Sequence, residues 1–176
     1  MKTAIMISKK DSASLNIKDC LLEKYSFKEN NDVYAFGNIS IYTIEEESIH
    51  ADNIDKKIKA DMFIFATKHE STSKINSLSV HVPGNWSKAE LGGKDKTLCI
   101  APVSLIKEAL LELENNSIDY EKIQEVTHHG PYLEKPCLFI EIGSTLSEWT
   151  NKEAGQIIAT TIMKILQKPA KNYKVA

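Results

Sequence analysis

The chain contains no arginine: all 22 of its basic residues are lysines. Bidentate guanidinium contacts to phosphate are therefore excluded, and phosphate recognition would rest on lysine point charges, backbone amides or helix N-termini. Cysteine is sparse. Cys20, Cys99 and Cys137 are odd in number, widely spaced and form no CxxC pair, which excludes a disulfide framework and a thiolate zinc site and fits reduced intracellular thiols. No apolar run approaches the roughly 20 residues needed to span a bilayer. Residues 1–7 are too short for a signal-peptide core and give way to Lys9, Lys10 and Asp11. A cytoplasmic protein with no membrane partner is expected. Also missing are a GxSxG elbow, a Walker loop, an HExxH pair and a dinucleotide GxGxxG, which removes serine hydrolases, NTPases, zincin proteases and Rossmann dehydrogenases.

What is present is an ordinary globular composition: 176 residues, 42% hydrophobic and 26% charged. That length suits one domain burying roughly 70% of the surface its unfolded chain exposes. The net charge of −2 neither supports nor excludes a nucleic-acid partner, since a local basic patch would suffice.

Along the chain, TAIMIS at Thr3–Ser8 reads as a buried strand, followed by a helix that Ser12 or Ser14 could cap. Val33–Phe36 and Ile39–Ile44 flank Gly37-Asn38 as the arms of a hairpin. Asn53 is placed at the opening of a short helix reaching Ile58, and MFIFAT at 62–67 has the continuous apolar character of a strand covered on both faces. Residues 77–82 alternate, with Leu78, Val80 and Val82 opposite Ser77, Ser79 and His81. Pro102 suits the first turn of a helix whose stripe is Val103, Ile106, Leu110 and Leu113. Residues 123–127 and 137–142 are further strands, and Thr150-Asn-Lys-Glu153 reads as a capping box for the next helix. Residues 173–176 look like the start of another strand. Strands alternating with helices predict an α/β domain, a three-layer α/β/α arrangement around a mixed sheet.

Four of the five histidines fall at strand ends. His69 follows MFIFAT, His81 ends LSVH, and His128 and His129 end the strand at Val126-Thr127. If these strands are largely parallel, their carboxyl ends share the sheet edge where open α/β sheets bind ligands. Glu141, inside LFIEI, would be costly unpaired and suits a proton acceptor or orienting partner. Neighbours in extended chain point to opposite faces, so His128 and His129 share a site only if the chain turns there. His50, after Glu45-Glu46-Glu47, reads as a surface or capping residue. The Gly84-Asn85 turn and the Gly92-Gly93 loop, beside Lys88, Lys94 and Lys96, offer backbone amides that could cradle a phosphate or ribose.

Glu125-Val-Thr-His-His-Gly-Pro131, with Phe139-Ile-Glu-Ile-Gly-Ser-Thr145 and Glu148-Trp149, closely resembles the signature of the archaeal and plant type of D-aminoacyl-tRNA deacylase. Ala66-Thr-Lys-His69, His81-Val-Pro-Gly84-Asn85, Gly92-Gly93, Asn16-Ile-Lys-Asp19 and His50-Ala-Asp-Asn-Ile-Asp55 resemble that family in the same order. The resemblance implies hydrolysis of the ester joining a D-amino acid to the tRNA 3′ end, Zn2+ dependence, and a fold similar to peptidyl-tRNA hydrolases and phosphorylases. It implies catalytic roles for His81, His128, His129 and Glu141, and substrate contacts from Lys68, Gly84, Asn85, Gly92, Gly93, Lys94, Thr127 and Gly130. If zinc is bound, His69, His81 and one of His128 or His129, here taken as His129, are the expected ligands. Family members continue past the equivalent of Val175-Ala176 into a glycine-rich segment with a His-Tyr-x-Pro motif, so a shortened relative of weak activity alone is expected.

Water, with a pKa near 15.7, needs a metal or a general base to attack at neutral pH. The residues fit either scheme. The expected partner is an aminoacylated tRNA 3′ end, met by a monomer. The alternatives are a peptidyl-tRNA hydrolase-like or nucleoside-handling hydrolase, or an inactive module that binds tRNA ends.

Overall fold

A computed structural model of the chain describes residues 1–168; the strand expected at 173–176 lies outside them. The elements in order are β1 (Thr3–Ser8), α1 (Ser12–Lys24), β2 (Lys28–Asn30), β3 (Val33–Phe36), β4 (Ile39–Ile44), β5 (Met62–Glu70), β6 (Ser77–His81), β7 (Gly84–Asn85), β8 (Thr97–Leu98), α2 (Val103–Glu114), β9 (Glu121–Gln124), β10 (Cys137–Ser144), α3 (Leu146–Trp149) and α4 (Lys152–Gln167). Two 3-10 turns, Ser48–His50 and Ile54–Lys56, precede β5.

Eight strands form one mixed sheet in the order β2-β3-β4-β1-β5-β10-β6-β9. Strands β4, β1, β5 and β10 are parallel, β6 runs antiparallel to β10, and β2-β3-β4 is an antiparallel meander. Gly37 turns the β3–β4 hairpin at φ +60°, where a side chain would be strained. The apolar runs of β1, β5 and β10 are covered on both faces, as their composition predicts. Helices α1 to α4 pack on one another and on the sheet as one layer.

Several local expectations shift by a residue or two. Asp11, not Ser12 or Ser14, caps α1 by accepting from the amides of Ala13 and Ser14. Asn151, not Thr150, caps α4; the Thr150 hydroxyl donates instead to the Leu146 carbonyl. In α2 the buried stripe is Ile106, Ala109 and Leu113, while Val103 is exposed. The strand expected at 123–127 is β9, ending at Gln124, so His128 and His129 lie in irregular chain beyond it. No described helix is long and apolar enough to cross a membrane.

Candidate active site

Strand register builds the site's floor. Across β5, β10 and β6 the residues Phe65, Phe139 and His81 pair in one row, and Thr67, Glu141 and Ser79 in the next. His69, Gly143 and Ser77 form the third. Paired residues point to the same face, so one face changes from apolar to polar over a few residues. Phe65 stacks on Phe139 at 4.8 Å between centroids, and the His81 ring lies on the other side of Phe139 at 5.1 Å. Gly143 carries no Cβ because one there would stand 2.4 Å from Ser77 Oγ and 3.0 Å from His69 Cδ2. Its absence admits the His69 ring.

Glu141 is buried between the two histidines of its neighbouring strands. Its Oε2 lies 3.5 Å from His69 Nδ1 and accepts from Ser79 Oγ at 3.3 Å, while Oε1 lies 3.6 Å from His81 Nε2. Burial opposes a charge on Glu141, but His81, His69 and His129 together outweigh it and bring its pKa down to about 2. Reciprocally, His69 is raised above its ordinary value, chiefly by its contact with Glu141. Burial works against a charge on His81, yet Glu141 raises it as well.

The chain does turn at the histidine pair. His129 adopts a left-handed backbone at φ +47°, and Gly84 N donates to its carbonyl at 2.7 Å. Both rings therefore reach His81: His128 stacks on it at 4.5 Å and His129 meets it edge-on at 4.9 Å. A carbonyl can only accept, so Nδ1 carries the proton on both: His128 donates to Val126 O at 2.8 Å and His129 to Gly130 O at 2.6 Å. Each Nε2 lone pair is left to the site. Burial, then the neighbouring His81, lowers the His129 pKa to about 4, so this ring is neutral at pH 7. Neither ring nitrogen of buried His81 has a hydrogen-bond partner.

Two groups could hold a cation. His81, His128 and His129 form one and His69, Glu125 and Glu141 the other, each with its ligand atoms within 4.8 Å of one another. The expected set of His69, His81 and His129 is thus divided: His69 stands with the acids across Glu141. The convergence also has a different cause from the one expected. Because β6 is antiparallel to β10, His81 lies at the level of Phe139 and His69 at that of Gly143, and Glu141 between them reaches both.

Over this floor opens a cleft of about 380 Å³ lined by Asp11, Ser48, Lys68, His69, His128 and Glu141, among others. Lys68 Nζ is 3.1 Å from Glu70 and 4.9 Å from the Trp149 ring centroid. Of the residues expected to touch substrate, only Lys68 lines this cleft; the others stand outside its lining and are engaged with one another and with neighbouring loops. Gly93 N donates to Asp52, so that amide is not open to a phosphate. Asn85 Nδ2 donates to Gly92 O, Lys94 lies over the Tyr132 ring, and Thr127 O accepts from the Trp86 indole. A Cβ at Gly130 would meet Gly93 N at 2.3 Å and Ile49 O at 2.5 Å, and one at Gly84 would meet Leu98 Cα at 2.8 Å.

Residue-type reasoning missed Glu125, Asp11 and Asp52. Glu125 stands 3.3 Å from His69 and 3.8 Å from His128, tying the two groups together; its signal was the i,i+3 spacing to His128. Asp11 binds Thr67 Oγ1 and Lys68 N with the oxygen its cap leaves over. Asp52 joins Gly93 N to Tyr132 N, a long-range contact with no local signal.

An α/β fold whose mixed sheet sets four histidines, the buried Glu141 and the half-buried Glu125 together beside an open cleft has the makings of an enzyme's acid–base or metal centre. The chain belongs to the D-aminoacyl-tRNA deacylase family, whose model matches residues 56–176. It is 47% identical to the D-aminoacyl-tRNA deacylase of Pyrococcus furiosus, over 98% of this chain and 68% of that one. Against that of Archaeoglobus fulgidus it is 33% identical, over 98% and 66%. The chain thus spans about two thirds of the length of these relatives. A crystal structure of a conserved protein of unknown function superposes with a TM-score of 0.88 at 33% identity, over 96% of this chain and 64% of that one. A futalosine hydrolase from Helicobacter pylori, with a TM-score of 0.59 at 11% identity over 94% and 99%, shares the fold alone.

Proposed function

We propose that this chain hydrolyses the ester between a D-amino acid and the 3′ end of tRNA, freeing both in a proofreading role in the cytoplasm, and that it acts as a monomer. The observation that carries the reading is Glu141, buried and ionised between His69 and His81 at the base of an open cleft, in a chain of the D-aminoacyl-tRNA deacylase family.

Ester hydrolysis needs a water deprotonated, charge on the carbonyl oxygen stabilised and the leaving ribose oxygen protonated. His129, neutral and held by Gly130 O, offers Nε2 as a proton acceptor or ligand. His69, whose protonation Glu141 favours, can supply the proton to the ribose oxygen. Lys68 at the cleft wall, paired with Glu70, can turn toward the carbonyl oxygen, and Glu47 lining the same cleft suits the ammonium of an aminoacyl group.

Zinc fits the donor set. No hydrogen bond engages either ring nitrogen of His81, whose Nε2 faces Glu141 at 3.6 Å, and His128 and His129 each donate Nδ1–H to a backbone carbonyl, as metal-bound histidines commonly do. His81, His128 and His129 would hold the ion, which would supply a Lewis acid that makes water nucleophilic near neutral pH. The deciding assay incubates the protein with matched D- and L-aminoacyl-tRNA and with peptidyl-tRNA. Release of the D-amino acid alone is expected; cleavage of peptidyl-tRNA instead would replace this reading with a peptidyl-tRNA hydrolase.

A further inference from the structure

The largest exposed apolar side chain beside the cleft is Trp86, 72% exposed. It is not a loose side chain. Its indole Nε1–H donates to Thr127 O at 3.0 Å, which fixes the ring against the residue preceding His128. Pro83, three residues earlier, bridges to His128 itself. Gly84 lies between these points, where a Cβ would meet Leu98 Cδ2 at 3.0 Å and Thr127 Cγ2 at 3.1 Å, so Leu98 and Thr127 close in beneath the tryptophan loop. Val126, 79% exposed, stands next to Thr127. An exposed indole with a fixed orientation one residue from a cleft-lining histidine has no role in the sheet's core or in the chemistry described above.

The loop that follows the ring is rich in lysine. The amide of Lys96 donates to Ser87 O at 2.7 Å, which closes the 87–96 loop on the residue after Trp86; that loop carries the exposed Lys88, Lys94 and Lys96 together with Glu90 and Asp95. A fixed aromatic face flanked by lysines is what a single-stranded nucleic acid uses: the base stacks on the ring while cations follow its phosphates. Because every base has a π-face, such a platform serves an end whose sequence is invariant as well as any other. The lack of arginine leaves the indole as the stacking surface that a guanidinium would otherwise share.

We infer that Trp86 is the stacking platform for a nucleobase of the single-stranded tRNA 3′ end, with Lys88 and Lys96 following its backbone, so that the terminal ribose ester is delivered to His128 and His129. This rests on the deacylase reading given above.

The test measures binding and turnover separately. A fluorescently labelled CCA trinucleotide is titrated into the parent, Trp86→Ala and Trp86→Phe, and KM and kcat are determined for D-aminoacyl-tRNA. Trp86→Ala is expected to weaken CCA binding about tenfold or more and to raise KM by a similar factor with a smaller change in kcat. Trp86→Phe, which keeps a ring and loses the bond to Thr127, should lie between. CCA binding and KM within twofold of the parent for Trp86→Ala would overturn the inference. So would a Trp86→Ala protein that bound CCA normally but dissociated from a dimer, which would make the patch a contact between copies. Binding of CCA through Trp86 by a protein that hydrolyses no D-aminoacyl-tRNA would sustain this inference while ending the deacylase reading.

Discussion

A carboxylate in the middle of a sheet strand is tolerated at Glu141 because two histidine rings and a serine hydroxyl replace the water it gave up. Glu141→Gln keeps the size and removes the charge that holds His69 and His81. We expect a loss of at least about 100-fold in deacylation, within the range general acid–base groups contribute, with the fold retained by circular dichroism. His81→Ala and His129→Ala should each lower the zinc content measured by atomic absorption after dialysis, whereas His50→Ala should not. His129 also predicts a pH dependence. Its folded pKa of about 4 lies below the ordinary 6.5, so the unfolded chain binds the proton more readily and stability falls as pH drops from 6.5 toward 4. The effect is at most about 3 kcal/mol. Glu141, depressed to about 2, adds a loss over the window below its ordinary 4.5. Urea unfolding of metal-free His129→Asn should show a flatter profile between pH 4 and 6.5 than the parent.

The elements hold these residues through contacts that bypass regular structure. Asp11 caps α1 with one oxygen and ties down the end of β5 with the other, so Asp11→Ala removes a cap and strands the Thr67 hydroxyl and Lys68 amide. A cost of about 2–4 kcal/mol is expected in the urea midpoint analysis. Gly130→Ala would press a methyl onto the backbones of Gly93 and Ile49, and an overpacking cost of about 1–3 kcal/mol is expected in the same measurement. The strands were legible in the sequence because their signal is local: MFIFAT and LFIEI are apolar throughout, and Gly37-Asn38 marks its hairpin. The caps were misplaced because Asp11, Ser12 and Ser14 are all competent, and only the tertiary partners Thr67 and Lys68 select the first. That His69 and His81 would lie on one side of the sheet was readable from their strand-end positions, whereas His128 and His129 lie beyond the end of β9 and not in a strand. The reason the four meet was not readable, since it depends on β6 running antiparallel to β10 and on the left-handed turn at His129.

At the scale of the molecule, a chain with a net charge of −2 and no arginine binds an anionic partner locally or not at all. Lys68 lines the cleft from β5, and Lys88, Lys94 and Lys96 lie on the single loop between β7 and β8. Affinity for tRNA should therefore fall with salt by the slope of a few phosphate contacts rather than many. The chain spans about two thirds of the length of its relatives. The central claim is that the histidine–carboxylate group around Glu141 performs D-selective ester hydrolysis. Its most direct measurement is the single-turnover rate of D-tyrosyl-tRNA and L-tyrosyl-tRNA hydrolysis by the parent and by Glu141→Gln at equal folded concentration. D-selective release by the parent that is lost in Glu141→Gln is the expected result; equal rates from the two proteins, or equal rates on the two substrates, would contradict it.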